Sequence, residues 1–135
     1  MSDSVELYTR LIRAMRAGDD NVTLRFFDPS FVVHEDPGMP YGGELRGAES
    51  FIKLRRKVYD TWGAGCLRLL FICGDPDGDH AAAYFKLVGR PAGASDIVES
   101  FITVMWTFRN DLAVEARVFY FDTPRLCKAL GVDAA

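Results

Sequence analysis

The sequence has little of what several classes of protein require. Its 135 residues include three cysteines and two histidines, and the formal net charge is −3. An odd number of cysteines without a C-x-x-C pair argues against a disulfide framework, so we expect reduced thiols and a cytoplasmic location. Two histidines predict no histidine-rich metal site. A weakly acidic chain is also atypical of nucleic-acid-binding proteins, which are usually basic.

Long apolar runs and cofactor-binding loops are missing as well. No apolar run approaches the ~18 residues of a membrane-spanning helix, so no membrane partner is expected. The first ten residues, MSDSVELYTR, lack the basic and apolar segments of a signal peptide. The segment Gly63-Ala64-Gly65 lacks the third glycine of a dinucleotide-binding loop, and the chain has no Walker-type loop. The sequence therefore predicts neither a dedicated cofactor nor a metal.

What the sequence does have is a composition typical of a folded domain. Apolar residues make up 49% of the chain and aromatic residues 13%. A chain of this length buries roughly 68% of the surface of its extended form, which is enough for a core without metals or disulfides. We therefore expect a single domain over residues 1–135.

Apolar periodicity predicts helices in the first half of the chain. Apolar residues recur every three to four positions over residues 5–15 and again over residues 51–62, which is typical of amphipathic helices. Between these two segments a short helix is expected to end at Phe27. The following Asp28-Pro29 would stop it, because the residue before a proline disfavours the helical conformation.

The second half of the chain is rich in β-forming residues. Short strands are predicted at Phe31–Glu35 and Glu44–Arg46, longer ones at Cys66–Cys73, Ala82–Val88, Asp96–Phe108 and Leu112–Phe121, and a terminal helix near Pro124. The segment Gly74–Gly78 is a hairpin turn signal. Helices grouped before such a meander predict an α+β fold. In this fold a curved antiparallel sheet wraps around three helices and encloses an apolar pocket.

The first strand carries the residues best suited to acid–base chemistry. Its alternate positions form two faces, which are Val32, His34 and Asp36 on one side and Phe31, Val33 and Glu35 on the other. Periodicity does not fix which face points inward. If the first face does, an imidazole and a carboxylate lie roughly 7 Å apart and can exchange protons near neutral pH. The alternative is that Asp36 caps the turn at Pro37 and that His34 is a half-buried, hydrogen-bonded side chain.

Five segments together resemble a known family over nearly the whole chain. They are Ala17-Gly18-Asp19, His34–Gly38, Met39–Gly47, Met105–Asp111 and Val118–Asp122. In this order and spacing the chain resembles the nuclear transport factor 2-like superfamily, in its SnoaL-like branch. That superfamily includes ketosteroid isomerase and polyketide cyclases, as well as proteins that only bind ligands or partners, so the resemblance implies a fold rather than one reaction.

The resemblance also implies site residues. Asp36 matches the general base of ketosteroid isomerase, which favours an inward orientation for its face, with His34 as the proton partner. The residues implied for the ligand pocket are Tyr41, Trp62, Val104, Trp106 and Tyr120. Leu11 and Val104 stand at the positions of the isomerase's two enolate-stabilising donors. Ketosteroid isomerase activity itself is therefore not expected.

Two functions fit these features. The first is a cofactor-independent enzyme of the isomerase, cyclase or dehydratase type that acts on a small hydrophobic cyclic substrate with Asp36 as general base. The second is a non-catalytic module of the same fold that binds a ligand or a partner. Proteins of this superfamily commonly dimerise through the outer face of the sheet, which implies a homodimer here. The residues that would form that surface are Glu99, Phe101, Thr103, Met105, Phe119 and Phe121.

Overall fold

The computed structural model describes residues 3–75 and 78–132. The helices are α1 (Ser4–Arg16), α2 (Asp20–Leu24), α3 (Ala48–Trp62) and α4 (Thr123–Ala129). The strands are β1 (Phe27–Glu35), β2 (Gly43–Arg46), β3 (Leu67–Gly74), β4 (His80–Gly89), β5 (Val98–Arg109) and β6 (Leu112–Tyr120). The predicted α+β fold is confirmed. The predicted turn between β3 and β4 includes Pro76 and Asp77, which lie outside the described residues.

The six strands form one curved sheet in the order β2-β1-β6-β5-β4-β3. Four of the five neighbouring strand pairs are antiparallel, as predicted, and the fifth pair, β1 and β6, is parallel. Strand β1 therefore lies beside the last strand of the chain rather than beside β3. This pairing places β1 between its hairpin partner β2 and the β5–β6 hairpin, next to the helices α1 and α3 that cover the concave face.

The chain between α1 and β1 departs from its prediction. Asp19 caps α2, since its side chain accepts a hydrogen bond from the Val22 amide at 3.1 Å. The helix ends at Leu24 instead of Phe27, and β1 begins at Phe27. Phe27 is buried and packs edge-on against Phe31 with 4.6 Å between ring centroids, so tertiary packing outweighs local helix propensity.

The helix ends before Asp28-Pro29, and Pro29 itself lies inside β1, where the sheet is irregular. The pairing register between β1 and β6 shifts between Phe27 and Val32. Proline cannot donate a ladder hydrogen bond, and it is tolerated in strands at such irregularities. Strand β1 is therefore longer than predicted, and it begins four residues earlier.

The core lies between the concave face of the sheet and the helices α1 and α3. Its centre is Trp106 of β5, which contacts aromatic rings from three other elements: Tyr8 at 5.2 Å, Phe31 at 5.9 Å and Phe51 at 5.2 Å between ring centroids. Aromatic pairs at these distances stabilise a core beyond their buried area. Within the described residues no helix is long and apolar enough to cross a bilayer.

Candidate functional site

A cavity of about 100 Å³ lies between α1, α3 and the concave face of the sheet. Most of its wall is apolar. The wall residues are Tyr8, Ile12, Met15 and Arg16 of α1, Phe51, Leu54, Arg55, Val58 and Tyr59 of α3, and Glu35, Leu67, Phe85, Ile102, Val104, Trp106, Val118 and Tyr120 of the sheet. Arg16 is exposed, so the cavity opens to the surface between the two helices. Apolar walls with a few polar groups are typical of small-molecule sites.

The face of β1 that points into the cavity is not the one we expected. Glu35 lines the cavity and is 5% exposed, and Phe31 and Val33 are fully buried beside it. His34 and Asp36 are half-buried and do not line the cavity. The expected inward orientation of His34 and Asp36 was therefore wrong. Burying two large apolar side chains stabilises the fold by about 1.5–3 kcal/mol each, which outweighs the cost of placing one carboxyl group inside.

Asp36 caps the turn that follows β1. Its carboxylate accepts hydrogen bonds from the Gly38 amide at 2.9 Å and from the Thr123 hydroxyl at 2.8 Å. The turn packs so closely that a Cβ atom on Gly42 would lie 1.9 Å from the backbone oxygen of Asp36. Asp36 thus links the turn to the start of α4, which agrees with the second interpretation of the sequence.

His34 is part of a polar contact outside the cavity. Its Nε2 atom lies 3.6 Å from the Glu115 carboxylate on the neighbouring strand β6. Glu115 also lies 3.8 Å from the Arg117 guanidinium. Partly exposed contacts of this kind contribute little to stability. Neither Glu115 nor Arg117 lines the cavity, so these contacts of His34 do not involve the cavity wall.

Glu35 is the carboxylic acid of the cavity. Burial raises its pKa from 4.5 to about 7, because the charged form loses its hydration, and the nearby charge of Asp36 raises it slightly further. Hydrogen bonds from the Asp36 amide, at 2.9 Å, and from the Tyr120 hydroxyl lower the pKa and offset part of this rise. A carboxyl group with such a pKa exists in both protonation states near neutral pH.

Tyr120 connects Glu35 to two further side chains. The indole nitrogen of Trp62 lies 3.0 Å from the Tyr41 hydroxyl, which lies 2.8 Å from the Tyr120 hydroxyl. An indole N–H can only donate, so the Tyr41 oxygen accepts from Trp62 and its proton is available to Tyr120. Tyr120 can then donate to Glu35. Burial raises the pKa of Tyr41 to about 12 and that of Tyr120 well above its usual value, so both stay protonated.

The five residues predicted for the pocket fall into two groups in the structure. Val104, Trp106 and Tyr120 are wall residues of the cavity, while Tyr41 and Trp62 lie behind Tyr120 in its hydrogen-bond chain. No group of three His, Cys, Asp or Glu side chains that could hold a metal occurs within residues 3–75 and 78–132.

Glu35 and Tyr8 are two of the wall residues that were not predicted as site residues. Phe31 and Val33 share the face of Glu35, but the opposite face also carries an apolar residue, Val32, so the strand's own sequence did not identify Glu35. Tyr8 was recognised only as part of the apolar face of α1, yet its ring lines the cavity. Its hydroxyl forms no hydrogen bond with any residue in the described ranges. Burial raises its pKa, and the guanidinium groups of Arg55 and Arg16 partly counteract this rise.

Comparison with known proteins identifies the fold. No protein-family model matches the chain, and no curated protein resembles it in sequence. Among solved structures, an NTF2-like protein from Burkholderia thailandensis is 18% identical, with 96% of this chain and 98% of that chain covered at a TM-score of 0.81. The chain has the NTF2-like fold. TerC, crystallised with polyporic acid, is another structural neighbour, at 16% identity, with 96% of this chain and 99% of that chain covered at a TM-score of 0.75.

A third neighbour carries a name from the branch that the sequence resembles. It is a candidate SnoaL-like polyketide cyclase from Jannaschia, 14% identical, with 96% of this chain and 95% of that chain covered at a TM-score of 0.70. Identities this low establish the NTF2-like fold and not the reaction, since one fold carries many functions.

Proposed function

We propose that this NTF2-like protein binds a small, largely apolar cyclic molecule in its cavity and uses Glu35 as a general acid–base group. The reaction would be a cofactor-independent isomerisation, cyclisation or dehydration. The observation that carries the proposal is the Glu35 carboxyl group, which is buried in an apolar wall and has a pKa of about 7. General acid–base catalysis is most efficient when the pKa of the catalytic group lies near the working pH.

The residues around Glu35 have supporting roles in this proposal. Tyr120 donates to the carboxylate and holds it in one orientation, and Tyr41 and Trp62 hold Tyr120 in turn. Val104 and Trp106 form part of the apolar wall against which the substrate would pack. A carboxyl group held by hydrogen-bonded neighbours loses less free energy to reorganisation when it transfers a proton.

The structural neighbours agree with a cavity that holds an organic molecule. TerC was crystallised with polyporic acid, and the Jannaschia protein is a candidate polyketide cyclase. Both share the NTF2-like fold with this chain over at least 95% of its length. These neighbours support a small-molecule function for the fold, and the role of Glu35 rests on the geometry of this chain.

Exchange of carbon-bound protons tests the proposal without knowledge of the natural substrate. Cyclohexanone incubated with the protein in deuterated buffer is expected to gain deuterium next to its carbonyl faster than in buffer alone. Glu35→Gln should reduce this exchange to the background rate, because an amide cannot accept the proton. Asp36→Asn, the matched variant outside the cavity, should keep it. Equal exchange by wild type and Glu35→Gln would refute the acid–base role.

The second candidate function is a non-catalytic ligand-binding module. The small size of the cavity favours the form of this function in which the module binds a partner, because about 100 Å³ is below the ~300–1,000 Å³ that is common for ligand pockets. This function predicts that Glu35→Gln leaves ligand affinity almost unchanged and that the wild type shows no exchange above background. The same experiment therefore separates the two candidates.

We also infer that two copies associate through the outer face of the sheet. Phe101, Met105 and Phe119 on β5 and β6 are exposed there, and Phe121 follows directly after β6. The Tyr84 ring stacks on Phe101 with 5.5 Å between centroids and extends the apolar area onto β4. Contiguous exposed apolar patches of this kind are typical of interfaces.

The state of the cysteines fits a reducing compartment. Cys66 and Cys127 are buried free thiols, and Cys73 is an exposed one. Burial raises the pKa of the Cys66 thiol to about 11, which keeps it in the unreactive protonated form. An exposed free thiol is unusual in secreted proteins, so a cytoplasmic location remains our proposal.

A further inference from the structure

We propose that the ligand of the cavity is a small organic carboxylate, with its ring inside the cavity and its charged group bound by Arg16 and Arg55 at the mouth. This inference rests on the proposed small-molecule function and adds the chemical class of the ligand. It depends on an excess of hydrogen-bond donors over acceptors around the cavity.

The two arginines form a cationic mouth without acidic partners. Arg55 donates to the Met15 carbonyl at 3.3 Å and to the Tyr59 hydroxyl at 3.4 Å, and its guanidinium lies 5.1 Å from the centre of the Tyr59 ring. These contacts use two of its five N–H donors and orient the group without neutralising it. Within the described ranges neither Arg55 nor Arg16 lies within salt-bridge distance of a carboxylate.

Other arginines of the same chain do find acidic partners. Arg56, next to Arg55 in α3, lies 2.6 Å from the Asp20 carboxylate, and Arg46 lies 3.1 Å from Glu44. The chain has more acidic than basic residues, 19 against 16. Two unneutralised guanidinium groups at the mouth of an apolar cavity are therefore a local feature, and such groups bind carboxylates through charge-assisted hydrogen bonds.

Two further donors of the cavity wall have no partner. Tyr8 is 2% exposed and Trp106 is 1% exposed. The indole nitrogen of Trp106 is buried without an acceptor among the described residues, and it is too deeply enclosed for a ligand to reach. The Tyr8 hydroxyl belongs to a wall residue and forms no hydrogen bond with a described residue, so it is available to donate to a ligand oxygen. Arg16 and Arg55 also act electrostatically on Tyr8, so the donors of the mouth and of the wall are near one another.

Glu35, the one carboxyl group of the wall among the described residues, fixes the direction of the ligand. Glu35 would repel a carboxylate placed beside it, so the anionic end belongs at the arginines and the apolar end towards Glu35. A cavity of about 150 Å³ is known to hold a benzene ring in another protein, so about 100 Å³ suits a single ring that is only partly enclosed. The ligand class is therefore an aromatic or alicyclic monocarboxylate.

Binding of matched probes tests this inference. Benzoate, benzyl alcohol and benzylammonium share one ring and differ in charge, and their affinities can be measured by NMR titration at pH 6, where most of Glu35 is protonated. Benzoate is expected to bind about tenfold more tightly than benzyl alcohol, and benzylammonium more weakly than either. Arg55→Gln and Arg16→Gln should each weaken benzoate severalfold and leave benzyl alcohol unchanged.

The controls separate this inference from the function on which it rests. Lys57→Gln removes the same charge from an exposed position of α3 that does not line the cavity, and it should change no affinity. Arg16 is exposed, so Arg16→Gln should keep the fold even if Arg55→Gln does not. If benzyl alcohol binds as tightly as benzoate or more tightly, the carboxylate preference is overturned, while the cavity remains a binding site. Failure of all three probes to bind would overturn both proposals.

Discussion

The hydroxyl groups of Tyr41 and Tyr120 lie 2.8 Å apart and connect the buried indole of Trp62 to the Glu35 carboxyl group. This contact joins the loop before β2 to the end of β6, 79 residues later in the chain. Glu35, the one acidic side chain that the described residues contribute to the cavity wall, therefore has hydrogen-bond donors in the Asp36 amide and the Tyr120 hydroxyl. Asp36, in contrast, lies outside the cavity and caps the turn after β1, so the two carboxyl groups should have different roles.

Removal of the Tyr120 hydroxyl should raise the pKa of Glu35 further. Tyr120→Phe deletes the donor that stabilises the carboxylate, and a hydrogen bond to a charged group is worth about 1.5–3 kcal/mol, or roughly one to two pKa units. The titration of the Glu35 carboxyl carbon by NMR measures the change. Tyr59→Phe at the mouth is the matched control and should leave the titration unchanged. A lower Glu35 pKa in Tyr120→Phe would contradict the assigned direction of the hydrogen bond.

The stability of the protein should fall as the pH rises through the range set by Glu35. Its pKa is about 7 in the folded state and about 4.5 in the unfolded state, so the folded state binds the proton more tightly. Stability is then lost between about pH 4.5 and pH 7, by up to about 3 kcal/mol. Urea unfolding at pH 5 and pH 8 measures this loss.

Glu35→Gln provides the control for that pH dependence. The variant lacks the ionisable group and should unfold with a smaller difference between pH 5 and pH 8 than the wild type. At pH 8 it should be the more stable of the two proteins, because the neutral amide avoids the burial of a charge. An unchanged pH dependence in Glu35→Gln would show that other groups cause the loss.

Asp36 should matter for stability and not for chemistry. Asp36→Asn weakens the hydrogen bonds to the Gly38 amide and the Thr123 hydroxyl, and Thr123→Val removes the second of them. Each change should cost about 1–2 kcal/mol in urea unfolding. The double variant should cost less than the sum of the two, since both remove the same bond. Full additivity would contradict the link between the turn and α4.

Charge placed on the outer face of the sheet should separate the two copies. Phe119 is 52% exposed and belongs to the apolar patch, so Phe119→Glu would place two carboxylates in the interface. Light scattering after size exclusion should give the mass of a dimer for wild type and of a monomer for Phe119→Glu. Ile97→Glu, equally exposed in the loop before β5, should stay dimeric. A monomeric wild type would refute the interface.

The strands after α3 could be predicted well because they are long, rich in β-forming residues and separated by turn signals. Val104, Trp106 and Tyr120, which the resemblance implies for the pocket, are wall residues of the cavity. Long antiparallel strands joined by short turns have few ways to pair. Sequence reasoning therefore located three of the wall residues correctly.

The orientation of β1 could not be predicted in the same way. Both faces of the strand mix apolar and polar residues, and the likeness of Asp36 to a catalytic residue favoured the wrong one. The orientation of β1 depends on packing, since Phe31 stacks on Trp106 and Val33 is fully buried. The sequence of the strand alone does not predict those contacts. Asp36 also lies just after the end of β1, where its side chain is free to cap the turn.

The pKa of Glu35 tests the central claim most directly. The carboxyl-carbon resonances can be titrated by NMR, with Glu35→Gln used to assign the signal. The account predicts a midpoint near 7, because the carboxyl group is buried in the cavity wall. A midpoint near 4.5, the ordinary value for glutamate, would mean a hydrated carboxylate and would contradict the acid–base role of Glu35.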